Sequence, residues 1–135
     1  ERLPLIMDSV VGAGVKHCVI MSAYGVGNTV RSASFLMRVV CKTIMRSIFR
    51  DRVEADAMVT KYQPYISRAL PGRLTDKPGK GGAKVVDVTS VAQVPGIPTI
   101  AREDVADALL NIAGNPLNAG TDFLVTIDDV VLRAT

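Results

Sequence analysis

Ser22 and Tyr24 are the side chains whose type and position best suit chemistry on a bound small molecule. They follow Val15-Lys16-His17-Cys18-Val19-Ile20-Met21, a β-branched and nearly continuous apolar run, as expected of a strand buried on both faces of a parallel sheet. In open α/β sheets ligands bind at the carboxyl ends of the strands. A hydroxyl in that place donates to a carbonyl or a ribose. A serine there also serves simply to make a turn, and both readings stand on the sequence alone. A second such edge follows the next expected strand, Gln63-Pro64-Tyr65-Ile66-Ser67-Arg68-Ala69-Leu70. It carries Pro71, Gly72, Arg73 and Leu74, whose backbone amides are placed to face a ring or carboxamide, with Arg73 able to meet a phosphate or carboxylate.

Other chemistry is less well supported. His17 is the sole histidine and falls inside the expected strand beside Cys18, a place for packing rather than catalysis. Cys18 and Cys41 belong to no CxxC or Cys/His spacing, so no metal site is expected. Gly25-Val26-Gly27-Asn28-Thr29-Val30 imitates the first half of a dinucleotide fingerprint, but Val30 replaces the third glycine and a plain loop reads better. Gly79-Lys80-Gly81 lacks both the leading glycine and the Ser or Thr of a phosphate loop. Arg38, Lys42, Arg46 and Arg50 recur every four residues beside an apolar stripe. That pattern fits an anionic surface or a protein partner, and equally a solvated helix face.

These residues must be positioned by a small fold. With 135 residues, 48% of them hydrophobic and 21% charged, the chain has the length and composition of one globular domain. No apolar run approaches the roughly 20 residues of a membrane span. The unpatterned cysteines point to a reducing, cytoplasmic setting. Charge is unevenly divided: residues 1–86 hold 14 Lys and Arg against 6 Asp and Glu, and residues 87–135 hold 2 against 7. Either the halves face each other or they occupy different surfaces.

Leu3, Ile6, Met7, Val10 and Val11 form the stripe of an amphipathic helix that Gly12 and Gly14 terminate. Leu36, Val40, Ile44 and Ile48 predict one or two helices between Ser34 and Tyr62, with a joint at the capping pair Asp51 and Glu54. A loop is expected over 76–82, an edge strand over 83–88 and extended chain over 94–100. Arg102 to Ala113 is a helix with Glu103 and Asp104 in its first turn, Val105, Leu109 and Ile112 buried, and Gly114 closing it; Thr121 to Ile127 is the last strand. Alternating strands and helices predict an α/β fold. Three or four strands are too few to bury a doubly wound sheet on both faces, so other strands of the domain are expected to be absent from this chain. Because the sequence opens at Glu1 already in a helical pattern, residues 1–135 are expected to be the C-terminal portion of that domain.

Three segments in order carry a family resemblance: Ala13-Gly14-Val15-Lys16 with its strand and Ser22, Leu70-Pro71-Gly72-Arg73-Leu74-Thr75-Asp76, and Ile100-Ala101-Arg102-Glu103-Asp104-Val105-Ala106. Together they resemble the atypical short-chain dehydrogenases, the NmrA-like NAD(P)-binding group. The resemblance implies that the whole is a partial Rossmann-type domain, doubly wound, mostly parallel and lacking its first strands, with an NAD or NADP cofactor and hydride transfer to or from a small organic substrate. It places Ser22, Ala23 and Tyr24 near the nicotinamide ribose, with Ser22 and Tyr24 as the catalytic candidates, and Pro71 to Leu74 along the nicotinamide. The family's glycine-rich fingerprint would lie upstream of Glu1. Two departures matter: Leu70 stands where the family has arginine, and no Tyr-x-x-x-Lys pair occurs, Ile48 and Arg52 occupying the expected region. The second departure leaves open a non-enzymatic regulator that senses the cofactor and binds a protein partner.

Overall fold

The parallel strands carry apolar side chains on both faces, as in Cys18-Val19-Ile20-Met21 and Phe123-Leu124-Val125, so the sheet must be covered on both sides. The computed structural model describes residues 3–25, 39 and 60–134. A four-stranded sheet has the order β1-β2-β7-β4, from β1 (Cys18–Met21), β2 (Ile66–Pro71), β4 (Lys84–Asp87) and β7 (Asp122–Thr126). β1, β2 and β7 run parallel, with Met21 opposite Ala69 and Leu70 opposite Leu124; β4 closes one edge antiparallel to β7, with Val86 opposite Leu124. Two short ribbons complete the strands: β3 (Arg73–Thr75) pairs with β6 (Thr99–Ala101), and β5 (Val91–Gln93) with β8 (Val131–Leu132).

The helices take opposite faces. Val105, Ala108 and Ile112 of α2 (Arg102–Ala113) pack on Ala69 and Val125, with Val19, Val85 and Phe123 around them. Met7 of α1 (Leu3–Gly12) packs with Tyr62 and Ile66 on the other face, and Tyr24, Leu70, Val91, Val94 and Leu124 fill that face near the strand exits. This is the mixed, mostly parallel Rossmann-like sheet expected from the order of elements.

Some local expectations change. β1 is half-exposed rather than buried on both faces, with Met21 45% exposed, because it pairs only with β2 among the described residues. Gln63 to Tyr65 belong to a 3-10 helix (Thr60–Tyr65) instead of β2, with Pro64 inside it. That turn drives Tyr62 into the core, where its hydroxyl donates to Asp8 Oδ1 at 2.5 Å and Pro4 O at 3.2 Å. Ile6 is exposed on α1, and Leu109 on α2 is half-buried, its expected place being taken by Ala108. The expected helices between Ser34 and Tyr62, and the Arg38, Lys42, Arg46 and Arg50 stripe, lie outside the described residues, apart from the 3-10 turn from Thr60.

Among the described residues the basic and acidic parts of the sequence are joined by two ion pairs in the sense of their net charges, Arg68–Asp122 and Lys84–Asp129, and by one in the reverse sense, Asp76–Arg102.

Candidate functional site

The carboxyl ends of β1 and β2 lie side by side, and this joins the two segments singled out in the sequence. The backbone continues the sheet past the strands: Ser22 N donates to Ala69 O and Tyr24 N to Pro71 O, each at 2.9 Å. Ser22, Ala23 and Tyr24 therefore run against Pro71 and Gly72 at the edge where α/β sheets take ligands. Ser22 is 5% exposed and Ala23 half-buried. The Tyr24 ring is 2% exposed and sits in the apolar cluster with Leu70, Val91, Val94 and Leu124.

Gly72 is required by a close approach. A Cβ there would stand 2.3 Å from Pro98 O and 2.8 Å from Pro98 C. The contact brings β3 against β6, and Arg73 N donates to Pro98 O at 2.8 Å. The Arg73 amide is thus committed to the protein, and it is the exposed side chain that projects from this edge.

Beside Arg73 opens a cleft of about 360 Å³, lined by Arg73, Thr75, Lys77, Lys80, Thr99 and Asp104 among others. Its loop is pinned to the start of α2. Glu103 Oε2 accepts from Gly79 N at 2.8 Å, and Asp104 accepts from Lys80 N at 3.1 Å and Gly81 N at 2.8 Å. A side chain at position 79 would crowd both carboxylates, at 2.9 Å from Asp104 Oδ1 and from Glu103 Oε2. The first-turn acids that the sequence offers as partners of the helix dipole thus also hold a loop. Backbone amides as their mates leave no mark in the side-chain pattern.

The opposite end of the sheet is closed by polar contacts. Ser67 is fully buried, and its Oγ donates to Asn118 O at 2.5 Å. The 2.9 Å contact between Ser67 Oγ and His17 Nε2 then takes its proton from the imidazole. His17 thus hydrogen-bonds to the sheet from just before β1, not from inside the strand as its sequence suggests, since Val15 to His17 precede the first paired residue, Cys18. Burial pushes the Cys18 thiol up, away from the thiolate a nucleophile needs. Among the described residues no group of three or more His, Cys, Asp or Glu is arranged to hold a metal ion. None of the described helices is long and apolar enough to cross a membrane.

A mostly parallel sheet with helices on both faces, and two loops gathered at its carboxyl edge, defines the class of Rossmann-like nucleotide-binding domains. The sequence model of the NAD(P)H-binding family matches residues 3–116, and the chain belongs to that family. Among curated proteins no sequence matches. Several solved structures share the fold. ChuY from Escherichia coli O157:H7, described as an anaerobillin reductase, superposes with a TM-score of 0.71 at 17% identity, over 94% of this chain and 57% of that one. An NAD-dependent epimerase/dehydratase from Bacillus halodurans, described as putative, gives 0.69 at 19%, over 94% and 53%. A short-chain dehydrogenase/reductase of the wide type from Veillonella parvula, in complex with NADP, gives 0.73 at 15%, over 92% and 56%. The chain spans 52% to 64% of the length of the solved structures it resembles.

Proposed function

We propose that these 135 residues form the C-terminal, nicotinamide-side portion of an NAD(P)-dependent oxidoreductase of the atypical, NmrA-like short-chain dehydrogenase type, working in the cytoplasm. The observation that carries this reading is the hydrogen-bonded alignment of Ser22 and Tyr24 with Ala69 and Pro71 at the carboxyl edge of two parallel strands. Membership of the NAD(P)H-binding family supports it.

In this reading the cofactor supplies the hydride and the protein positions the rings. The groups present fit that task in kind: a hydroxyl, a braced backbone edge and an exposed guanidinium. Ser22 orients the reacting carbonyl or the ribose. Tyr24, its ring held among Leu70, Val91 and Val94, fixes the strand exit on which Ser22 sits. Pro71, Gly72 and Leu74 flank the nicotinamide together with Ala23, and Arg73 reaches the anionic part of the ligand pair.

The test is titration with NADPH and NADH followed by turnover of a carbonyl and quinone panel. Saturable binding with turnover is expected, and Ser22→Ala should lower kcat by roughly 100-fold, the lower range for loss of one hydrogen-bond donor to the reacting oxygen. Absence of binding to either nucleotide overturns the proposal. Binding without turnover selects the second reading, a cofactor-sensing regulator, which the missing Tyr-x-x-x-Lys pair favours. Its protein partner would then be sought through the Arg38, Lys42, Arg46 and Arg50 stripe.

A further inference from the structure

We infer that the cleft beside Arg73 is an anion-binding site that takes the acidic end of the substrate, a small organic molecule bearing carboxylate or phosphate. The word substrate rests on the oxidoreductase reading above; the affinity for anions rests on the cleft alone.

Three cationic side chains, Arg73, Lys77 and Lys80, line one concavity of about 360 Å³, and among the described residues none of them pairs with a carboxylate. Among the described residues Lys61, Arg68, Lys84 and Arg102 each find a carboxylate partner, whereas the three cations of the cleft do not. The acids nearest the cleft are occupied otherwise. Asp104 is 2% exposed and holds two backbone amides, and Glu103 holds a third. These carboxylates keep their charge, but their oxygens are turned to fixing the loop and form no ion pair with its lysines, whose ammonium groups stay available. Like charges gathered in a concave site repel one another and focus a positive potential, which an arriving anion relieves.

The frame is also braced before any ligand arrives. Arg73 is anchored by β3 pairing with β6 and by the hydrogen bond its backbone N–H donates to Pro98 O, while the Lys80 backbone N–H donates to Asp104. At Arg73 and Lys80 the backbone is thus fixed and the side chains alone remain to be ordered on binding, which lowers the entropic cost. Thr75 and Thr99 supply hydroxyls to the lining, and Ile100 and Ile127 supply apolar surface for the body of a ligand. The volume suits a small molecule. Among the described residues no aromatic side chain lines the cleft, which argues against stacked nucleic-acid bases. Because Arg73 belongs to both the cleft and the Pro71–Leu74 edge, an acid group held here leaves the rest of the substrate beside the nicotinamide position.

The experiment titrates the protein with inorganic phosphate and with succinate at constant ionic strength. It compares Lys77→Gln/Lys80→Gln, Arg73→Gln and, as a control, the exposed Lys16→Gln. Saturable binding is expected, weakened roughly tenfold or more in the double variant and in Arg73→Gln, as befits lost charge-assisted contacts. Lys16→Gln should stay within about twofold, the size of a remote screened charge effect. Unsaturable binding, or an affinity that the Lys77 and Lys80 changes leave untouched, overturns the inference. NADPH titration of the same samples separates the two proposals. Equal NADPH affinity in the double variant supports a substrate-side anion, and competition between NADPH and phosphate overturns that assignment. Loss of all NADPH binding with lysine-dependent anion binding intact removes the cofactor reading and leaves the anion site standing.

Discussion

Arg68 and Arg73 lie on one continuous stretch of chain, yet they meet opposite surroundings. Arg68 sits within β2 directly opposite Asp122 of β7, and the register delivers a two-pronged pair: Nε to Oδ1 at 2.8 Å and Nη2 to Oδ2. Both side chains are about three-quarters buried, at 23% and 24% exposed. Arg73 lies just beyond the end of β2, exposed at a cleft, with the neighbouring acids engaged by backbone amides. Inside the sheet, register assigns each charge its mate. At the carboxyl edge the same chemistry is left open, and that is the edge at which we propose the ligand binds.

The sharpest way to break this contrast is to disturb the edge itself. Gly72→Ala sets a methyl group 2.3 Å from a backbone oxygen, with no flexible side chain able to yield. β3 must part from β6, and we expect a loss of about 2–3 kcal/mol from overpacking. Thermal melts and NADPH titration check it; an unshifted melting temperature would show that the approach to Pro98 is not required. Asp104→Ala comes next. It releases the amides of Lys80 and Gly81, which reach solvent once freed, so about 1–2 kcal/mol is expected, toward the lower end for bonds to a charged acceptor. Phosphate affinity should fall with it as the loop loosens, and an intact affinity would show that the bracing is dispensable. The two arginines then separate by their effects. Arg68→Met leaves Asp122 partly buried and alone, costing about 1–2 kcal/mol, less than a fully buried pair because solvent still reaches it. Arg73→Met should leave stability within about 0.5 kcal/mol while weakening anion binding. Equal destabilisation by both changes would erase the distinction.

Much of this arrangement is legible in the residues and some of it is not. The bounds of α2 follow from its acids, its apolar stripe and Gly114, and the edge position of β4 follows from its short alternating run. The meeting of Ser22–Tyr24 with Pro71–Gly72 follows from placing both after parallel strands. The short ribbons escape because β3, β5, β6 and β8 have two or three residues each, too few for a period of two to show. For the same reason the sequence does not reveal Val91 as a wall for the Tyr24 ring. The cleft escapes because its lysines lie in a loop and its acids in a helix more than twenty residues later, joined through backbone amides that carry no sequence signature. Tyr65 misleads in the other direction, since a β-favouring side chain beside Pro64 reads as strand while the chain turns there.

The smallest effect belongs to the pair that combines full exposure with a carboxylate. Asp129 is almost wholly exposed and accepts from Lys84 Nζ at 2.5 Å. That hydrogen bond, with the attraction of the ammonium, holds its carboxyl below the usual range. A carboxyl depressed in the folded state contributes stability above its unfolded pKa, and the contribution disappears as pH falls through the folded value. Asp129→Asn should therefore differ from the parent slightly at neutral pH and not at all at strongly acid pH. High salt should close even the neutral gap, because solvent-exposed charges are screened within about 3 Å at 1 M salt. The Arg68–Asp122 pair, shielded within the sheet, should resist the same salt. Melting curves of Asp129→Asn and Arg68→Met at low and high ionic strength read the two together. A salt-insensitive loss at Asp129 would place that pair with the register-built interior rather than with the open surface.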